Sequence, residues 1–138
     1  MKIYVSQEAP WLLPLTNQDL HAAVACMLEC AQAMFHELEL YVVRDGRMAQ
    51  ENLRCMGCQG ATNILSFPPA EGMPATLLLC ADATRREALL YGQDLGEHCL
   101  RLLAHGLGHV LGHDHGPEMD TLCEAMLSRA CARRAAQA

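Results

Sequence analysis

Four histidines fall within eleven residues in the segment His105-Gly106-Leu107-Gly108-His109-Val110-Leu111-Gly112-His113-Asp114-His115. Residues four apart on a helix lie on one face, one turn apart. His105 and His109 can therefore aim both imidazoles at one point about 2 Å from each ring nitrogen, the distance a zinc-type ion takes. Gly112 supplies the left-handed stop that lets the chain leave the helix and turn back. His115, three residues beyond that glycine, then reaches the same ion. His113 competes for the third place, and the longer excursion favours His115. Gly116-Pro117-Glu118 restarts a helix, with proline at a tolerated first-turn position and an acid near the N-terminus.

Three neutral imidazoles leave one tetrahedral position open, and open sites are catalytic: water bound there is acidified toward about pH 7. One zinc ion per chain is the expected cofactor, although nickel and copper also accept three imidazoles. Asp114 is expected either to support His115 through a hydrogen bond or to cap the next segment. The spacing H-x3-H-x5-H resembles the long zinc-protease motif, but Gly106 stands where that motif carries its glutamate base. Glycine has no side chain to take a proton, so peptide hydrolysis is not expected. Gly106 and Gly108 each cost a helix roughly 1 kcal/mol relative to alanine. Close approach of substrate or of another backbone is the expected reason for them.

The histidines need a helix that ends on time and neighbours that hold it. Leu95, Leu102, Leu103, Leu107 and Val110 give the stretch from Asp94 to Leu111 an apolar face. A final helix should start near Pro117 and fade toward the alanine-rich end. Upstream, Ile3 to Val5 reads as a strand, and Pro10 and Pro14 frame a loop around Trp11. Thr16 and Asp19 form a capping-box pattern. The following helix should run from Leu20 to about Glu37, with Leu20, Val24, Met27, Leu28, Ala31 and Met34 inside. Glu39 to Arg44 reads as a strand, Asp45-Gly46 as a turn and Arg47 to Arg54 as a short helix. Thr62 to Phe67 and Thr76 to Cys80 read as strands, and Asp82 as the cap of a helix carrying Arg85, Arg86 and Glu87. The expected fold is α+β: a single domain over residues 1–138, with a small mixed four-stranded sheet, several helices and a zincin-like metal site.

Composition agrees with one globular core: 51% of the 138 residues are apolar and 19% charged. The net charge of −6 argues against indiscriminate nucleic-acid binding, because phosphate contacts supply most of that affinity. Arg85, Arg86, Arg129, Arg133 and Arg134 are the candidates for a local basic patch, although solvated helix faces explain each of them. No signal-peptide core or membrane-length apolar run is evident, so the expectation is a cytoplasmic protein with reduced thiols. Of the eight cysteines, one of Cys26 and Cys30 should face the core. Cys55-Met56-Gly57-Cys58 fits half a zinc knuckle or a redox pair. With no second ligand pair at similar spacing, reduced structural cysteines are the expectation.

The pattern H-G-x-x-H-x-x-G-x-D-H, filled by His105 through His115, resembles the signature of the YbeY family of bacterial rRNA maturation factors. Thr62-Asn63-Ile64-Leu65-Ser66-Phe67-Pro68 is similar to that family's other block, and Glu118, Met119 and Leu122 suit its tail. The resemblance runs from about Asn52 onward. It implies a metal site related to that of the zinc proteases. It further implies a zinc-dependent, single-strand-specific endoribonuclease in 16S rRNA 3′-end maturation and ribosome quality control. The partners would be ribosomal RNA and the small ribosomal subunit, with no membrane and no DNA.

Two departures stand out. The family usually carries Tyr-Arg-Gly-Lys-Asp before the Thr-Asn block, and here Met56 occupies the arginine position. Arg54, two residues away, is the one candidate for a catalytic role beyond the metal ligands. Ala75-Thr76 replaces the family's Gly-Asp. A cation near a scissile phosphodiester commonly contributes roughly a few kcal/mol to transition-state stabilisation. Its loss motivates a second expectation, a ribosome-assembly binding protein with little or no nuclease activity. A metallohydrolase of another substrate class is the third.

Overall fold

The computed structural model describes residues 1–33, 35 and 37–137. Four strands, β1 (Lys2–Gln7), β2 (Glu37–Val43), β3 (Ile64–Phe67) and β4 (Ala75–Cys80), form one sheet in the order β1-β2-β4-β3. β1, β2 and β4 run parallel, and β3 pairs antiparallel with β4 at the edge. Five α-helices accompany them: α1 (Asn17–Cys30), α2 (Asp45–Met56), α3 (Ala81–Tyr91), α4 (Leu95–Val110) and α5 (Pro117–Ala136). The fold is α+β with a mixed four-stranded sheet, as expected.

Alternation along the strands decides which face each helix covers. Leu38, Leu40 and Val42 of β2, with Ala75, Leu77 and Leu79 of β4, are buried in one core with Leu20, Val24 and Met27 of α1 and Leu100, Leu103 and Leu107 of α4. Met126 and Ala130 bring α5 into the same core. The opposite face carries a smaller cluster of Val43, Met48, Leu65, Leu78, Cys80 and Ala83, where α2 and the start of α3 close over the sheet. α4 is thus sandwiched between the sheet and α5, a rigid mount for what it displays.

The Thr16–Asp19 capping box forms reciprocally: the hydroxyl accepts from the Asp19 N–H and the carboxylate from the Thr16 N–H. α1 ends earlier than its apolar spacing suggests, because Gln32 turns left-handed at φ 53° and the Ala33 N–H bonds back to the Leu28 carbonyl. Glu37 therefore begins β2 instead of closing α1, and Met34, expected on the inner face, lies outside the described residues. Asp45-Gly46 is not a turn but the first residues of α2. The Asp82 carboxylate, from α3, accepts the Asp45 N–H at 2.9 Å and pairs with Arg44. Asp82 is thereby diverted from capping its own helix, and Cys80 Sγ accepts from the Ala83 N–H in its stead. α5 does not fade but continues to Ala136.

Candidate metal centre

α4 is capped at its start by Asp94, whose carboxylate accepts the Glu97 N–H at 2.9 Å, and at its end by Leu111. Gly112 at φ 91° closes it: its N–H bonds to the His109 carbonyl, and the His113 N–H reaches the Gly108 carbonyl at 3.1 Å. This double closure satisfies carbonyls that a helix end leaves open and reverses the chain. The reversal brings His115 to His105 and His109. One ring nitrogen from each of the three lies within 4.8 Å of the others. Ring centroids are 4.7 Å apart for His105–His109, 4.9 Å for His109–His115 and 5.4 Å for His105–His115.

The hydrogen bonding fits an ion. His109 Nδ1 lies 3.2 Å from the His113 carbonyl oxygen, which can only accept, so Nδ1 carries the proton and the Nε2 lone pair is free. His109 Nε2 faces His105 Nε2 at 3.2 Å. Two nitrogens about 2 Å from one tetrahedral zinc would stand roughly 3.3 Å apart, so the pair already has the spacing of ligands. Burial, then the neighbouring imidazoles His109 and His115, push the His105 pKa down, against a smaller upward pull from Asp120. A neutral ring is the ligand form.

His113, weighed as a competing ligand, contributes its backbone carbonyl. Neither role expected for Asp114 appears among the described residues: its side chain is exposed, and the N-cap of α5 is Gly116, with no side-chain cap. The helical glycines also have a different cause from the expected one. A Cβ at Gly106 would stand 2.5 Å from Ile64 Cδ1 and 3.0 Å from Leu77 Cδ2, and one at Gly108 3.0 Å from Met119 Cε. Side chains of the sheet and of α5, not a substrate or another backbone, press on α4 at these points.

Arg54 sits exposed in the last turn of α2, held by Glu51 three residues earlier, and Met56 is also exposed. A second cluster of ligand-type atoms, Asp45, Cys80 and Asp82, is neutralised by Arg86 and Arg44. The Arg86 guanidinium holds the Asp45 carboxyl below its ordinary range, so that group is an ion-pair network.

One polar constellation has no signature in the sequence. His98, seven residues before His105 on α4, is buried and places Nε2 2.9 Å from the Glu87 carboxylate. Asn63 Nδ2 donates to the same carboxylate at 3.2 Å, while Asn63 Oδ1 accepts the Ile64 N–H. The start of β3 is thereby tied to α3 and α4 near the base of the histidine helix. Its carboxylate partner lies on another helix, so the sequence around His98 gives no warning of this.

Comparison with known proteins gives the family. Residues 13–131 match the family model described as endoribonuclease YbeY. The chain belongs to the YbeY family. An endoribonuclease YbeY of Nitratidesulfovibrio vulgaris is 43% identical, over 94% of this chain and 93% of the relative. The YbeY protein of Lawsonia intracellularis is 40% identical over 91% and 93% of the two chains. The solution structure of TM1509 from Thermotoga maritima shares the fold, with a TM-score of 0.66 and 17% identity over 99% of this chain and 93% of that one. The YbeY histidine pattern thus sits on a helix that the sheet and α5 hold from both sides.

Proposed function

We propose that the protein is a metal-dependent, single-strand-specific endoribonuclease acting in 16S rRNA 3′-end maturation and ribosome quality control. One zinc ion per chain would be held by His105, His109 and His115. The observation that carries the reading is the His109 tautomer, set by the His113 carbonyl, with Nε2 directed at His105 Nε2. The match to the endoribonuclease YbeY model and to curated relatives of that name supplies the substrate class.

A divalent ion held by His105, His109 and His115 would supply Lewis acidity toward a phosphoryl oxygen and a water acidified toward neutral pH. The chain's own contribution is to present three imidazoles at a helix end that cannot slide, because Gly106 and Gly108 lock α4 between β3, β4 and α5. Gly106 offers no base, so peptide hydrolysis of the zinc-protease kind has no proton acceptor at that position. Ribosomal RNA and the small ribosomal subunit are the proposed partners and the cytoplasm the proposed compartment. No helix among the described residues is long and apolar enough to cross a membrane.

A second reading is an assembly factor that binds RNA with little turnover. Met56 at the family's arginine position, and Arg54 engaged by Glu51, favour it. Cleavage of single-stranded RNA by the zinc-loaded protein separates the two. The nuclease reading predicts multiple turnovers that EDTA and His109→Ala abolish; particle binding without turnover would support the assembly reading instead.

A further inference from the structure

We infer that Cys55 and Cys58 form a reversible dithiol–disulfide site, oxidised by small-molecule disulfides, on the loop that leads into β3. Cys55 lies in the last turn of α2, and Gly57 at φ 67° reverses the chain directly after it. The Gly57 N–H bonds to the Leu53 carbonyl at 3.0 Å and the Cys58 N–H to the Asn52 carbonyl at 3.3 Å. The backbone carrying Cys58 is thus folded back over the helix end that carries Cys55. Asn52, buried, fixes the loop a second time through Nδ2 to the Gly60 carbonyl at 2.9 Å.

Both thiols are exposed and free. Their only hydrogen bonds among the described residues are local, from Cys55 Sγ to Glu51 Oε2 at 3.7 Å and from Cys58 Sγ to the Met56 carbonyl at 3.6 Å. Both side chains project into solvent at the end of α2. The remaining cysteines are placed differently. Cys80 and Cys99 are buried, and burial pushes their pKa values up to about 11 and about 12, which starves them of reactive thiolate. Cys26, Cys30, Cys123 and Cys131 are half-buried on helices α1 and α5. A closed zinc site would need two further donors, and no third histidine, cysteine or carboxylate among the described residues completes a set with the pair.

The chemistry is thiol–disulfide exchange. One cysteine thiolate attacks a sulfur of oxidised glutathione, forming a mixed disulfide and releasing one glutathione thiolate. The second cysteine thiolate then attacks the protein sulfur of that mixed disulfide and releases the second glutathione. The protein loses two protons and two electrons, and one glutathione disulfide becomes two thiols. The covalent ring spans Gly57 and stiffens the segment entering β3, whose first residue, Ile64, packs at Gly106 beside His105.

The test uses the whole protein equilibrated in glutathione redox buffers, quenched by alkylation and analysed by mass spectrometry. The expected result is a Cys55–Cys58 disulfide without adducts, reversed by dithiothreitol. Cys55→Ser and Cys58→Ser should each carry a single glutathione on the remaining loop cysteine. Glutathione on both cysteines of the unaltered protein, pairing with any other cysteine, or no oxidation at all would each overturn the proposal. Amide exchange over residues 57–63 should slow in the oxidised form, and unchanged exchange would overturn the stiffening of the loop.

Discussion

His109 Nδ1 donates to the backbone carbonyl of His113, the residue that follows the glycine ending its own helix. The loop that delivers His115 therefore also fixes the tautomer of the histidine before it. Helix stop, tautomer and the placing of His115 beside His105 and His109 depend on one local conformation.

Gly112 is the pivot of that conformation. Its φ of 91° is strained for any residue with a Cβ, although no atom lies within 4 Å of where one would stand. Gly112→Ala is expected to cost about 1 kcal/mol from backbone conformation. Zinc affinity should fall with it, by roughly ten- to a hundredfold, as is typical when ligand support is lost. Thermal unfolding and competitive zinc titration read the two effects separately.

Gly106→Ala should destabilise by about 1–3 kcal/mol through overpacking against Ile64 and Leu77. Ile64→Val removes the Cδ1 atom that stands 2.5 Å from the new Cβ and should recover part of the loss. A double-mutant cycle on denaturant midpoints measures that coupling, and additive effects would argue against the contact.

Acid should weaken the metal-free protein in a defined window. The His105 pKa is lowered in the folded state, first by burial and then by His109 and His115. Below the ordinary imidazole value of about 6.5 the unfolded chain takes up a proton that the folded chain refuses. Stability at His105 is thus intact above that pH and lost as pH falls toward the lowered folded value. The melting temperature of chelator-treated protein should drop across that range, and His105→Gln should flatten the slope.

Glu87→Ala leaves the buried His98 ring without its carboxylate partner and frees Asn63 at the start of β3. An unsatisfied buried group costs about 1–3 kcal/mol. Glu87→Gln, which keeps an acceptor oxygen, should lose less. Urea midpoints of the two variants make the comparison.

Met56→Arg should raise RNA cleavage under the nuclease reading, since the resemblance implies a cation at that position. The side chain there is 58% exposed, so the substitution has room. Single-turnover rates on a single-stranded RNA check it, with no change or a slower rate counting against the assignment of that position.

What was legible in the sequence was what acts locally. The i,i+4 pair, the glycine stop and the Thr16–Asp19 box are each written within a few residues, and each forms. The β-rich stretch of β2 and the short apolar run of β4 marked both as strands. What was hidden acts across the chain. Asp45-Gly46 has the composition of a turn, yet Asp82 of α3 takes the Asp45 N–H and opens a helix there. Gly106 and Gly108 look like room for a ligand until Ile64, Leu77 and Met119 are seen to fill that room. His98 finds Glu87 only because α3 packs on α4.

The central claim is an ion held by three imidazoles, and zinc content measures it most directly. Purified protein dialysed against zinc and then buffer should retain one zinc per chain. X-ray absorption should show nitrogen neighbours at about 2.0 Å and no sulfur. His105→Ala, His109→Ala and His115→Ala should each lose the metal, while His113→Ala should keep it. A metal-free wild type, zinc bound through cysteine sulfur, or full retention in His115→Ala would contradict the account.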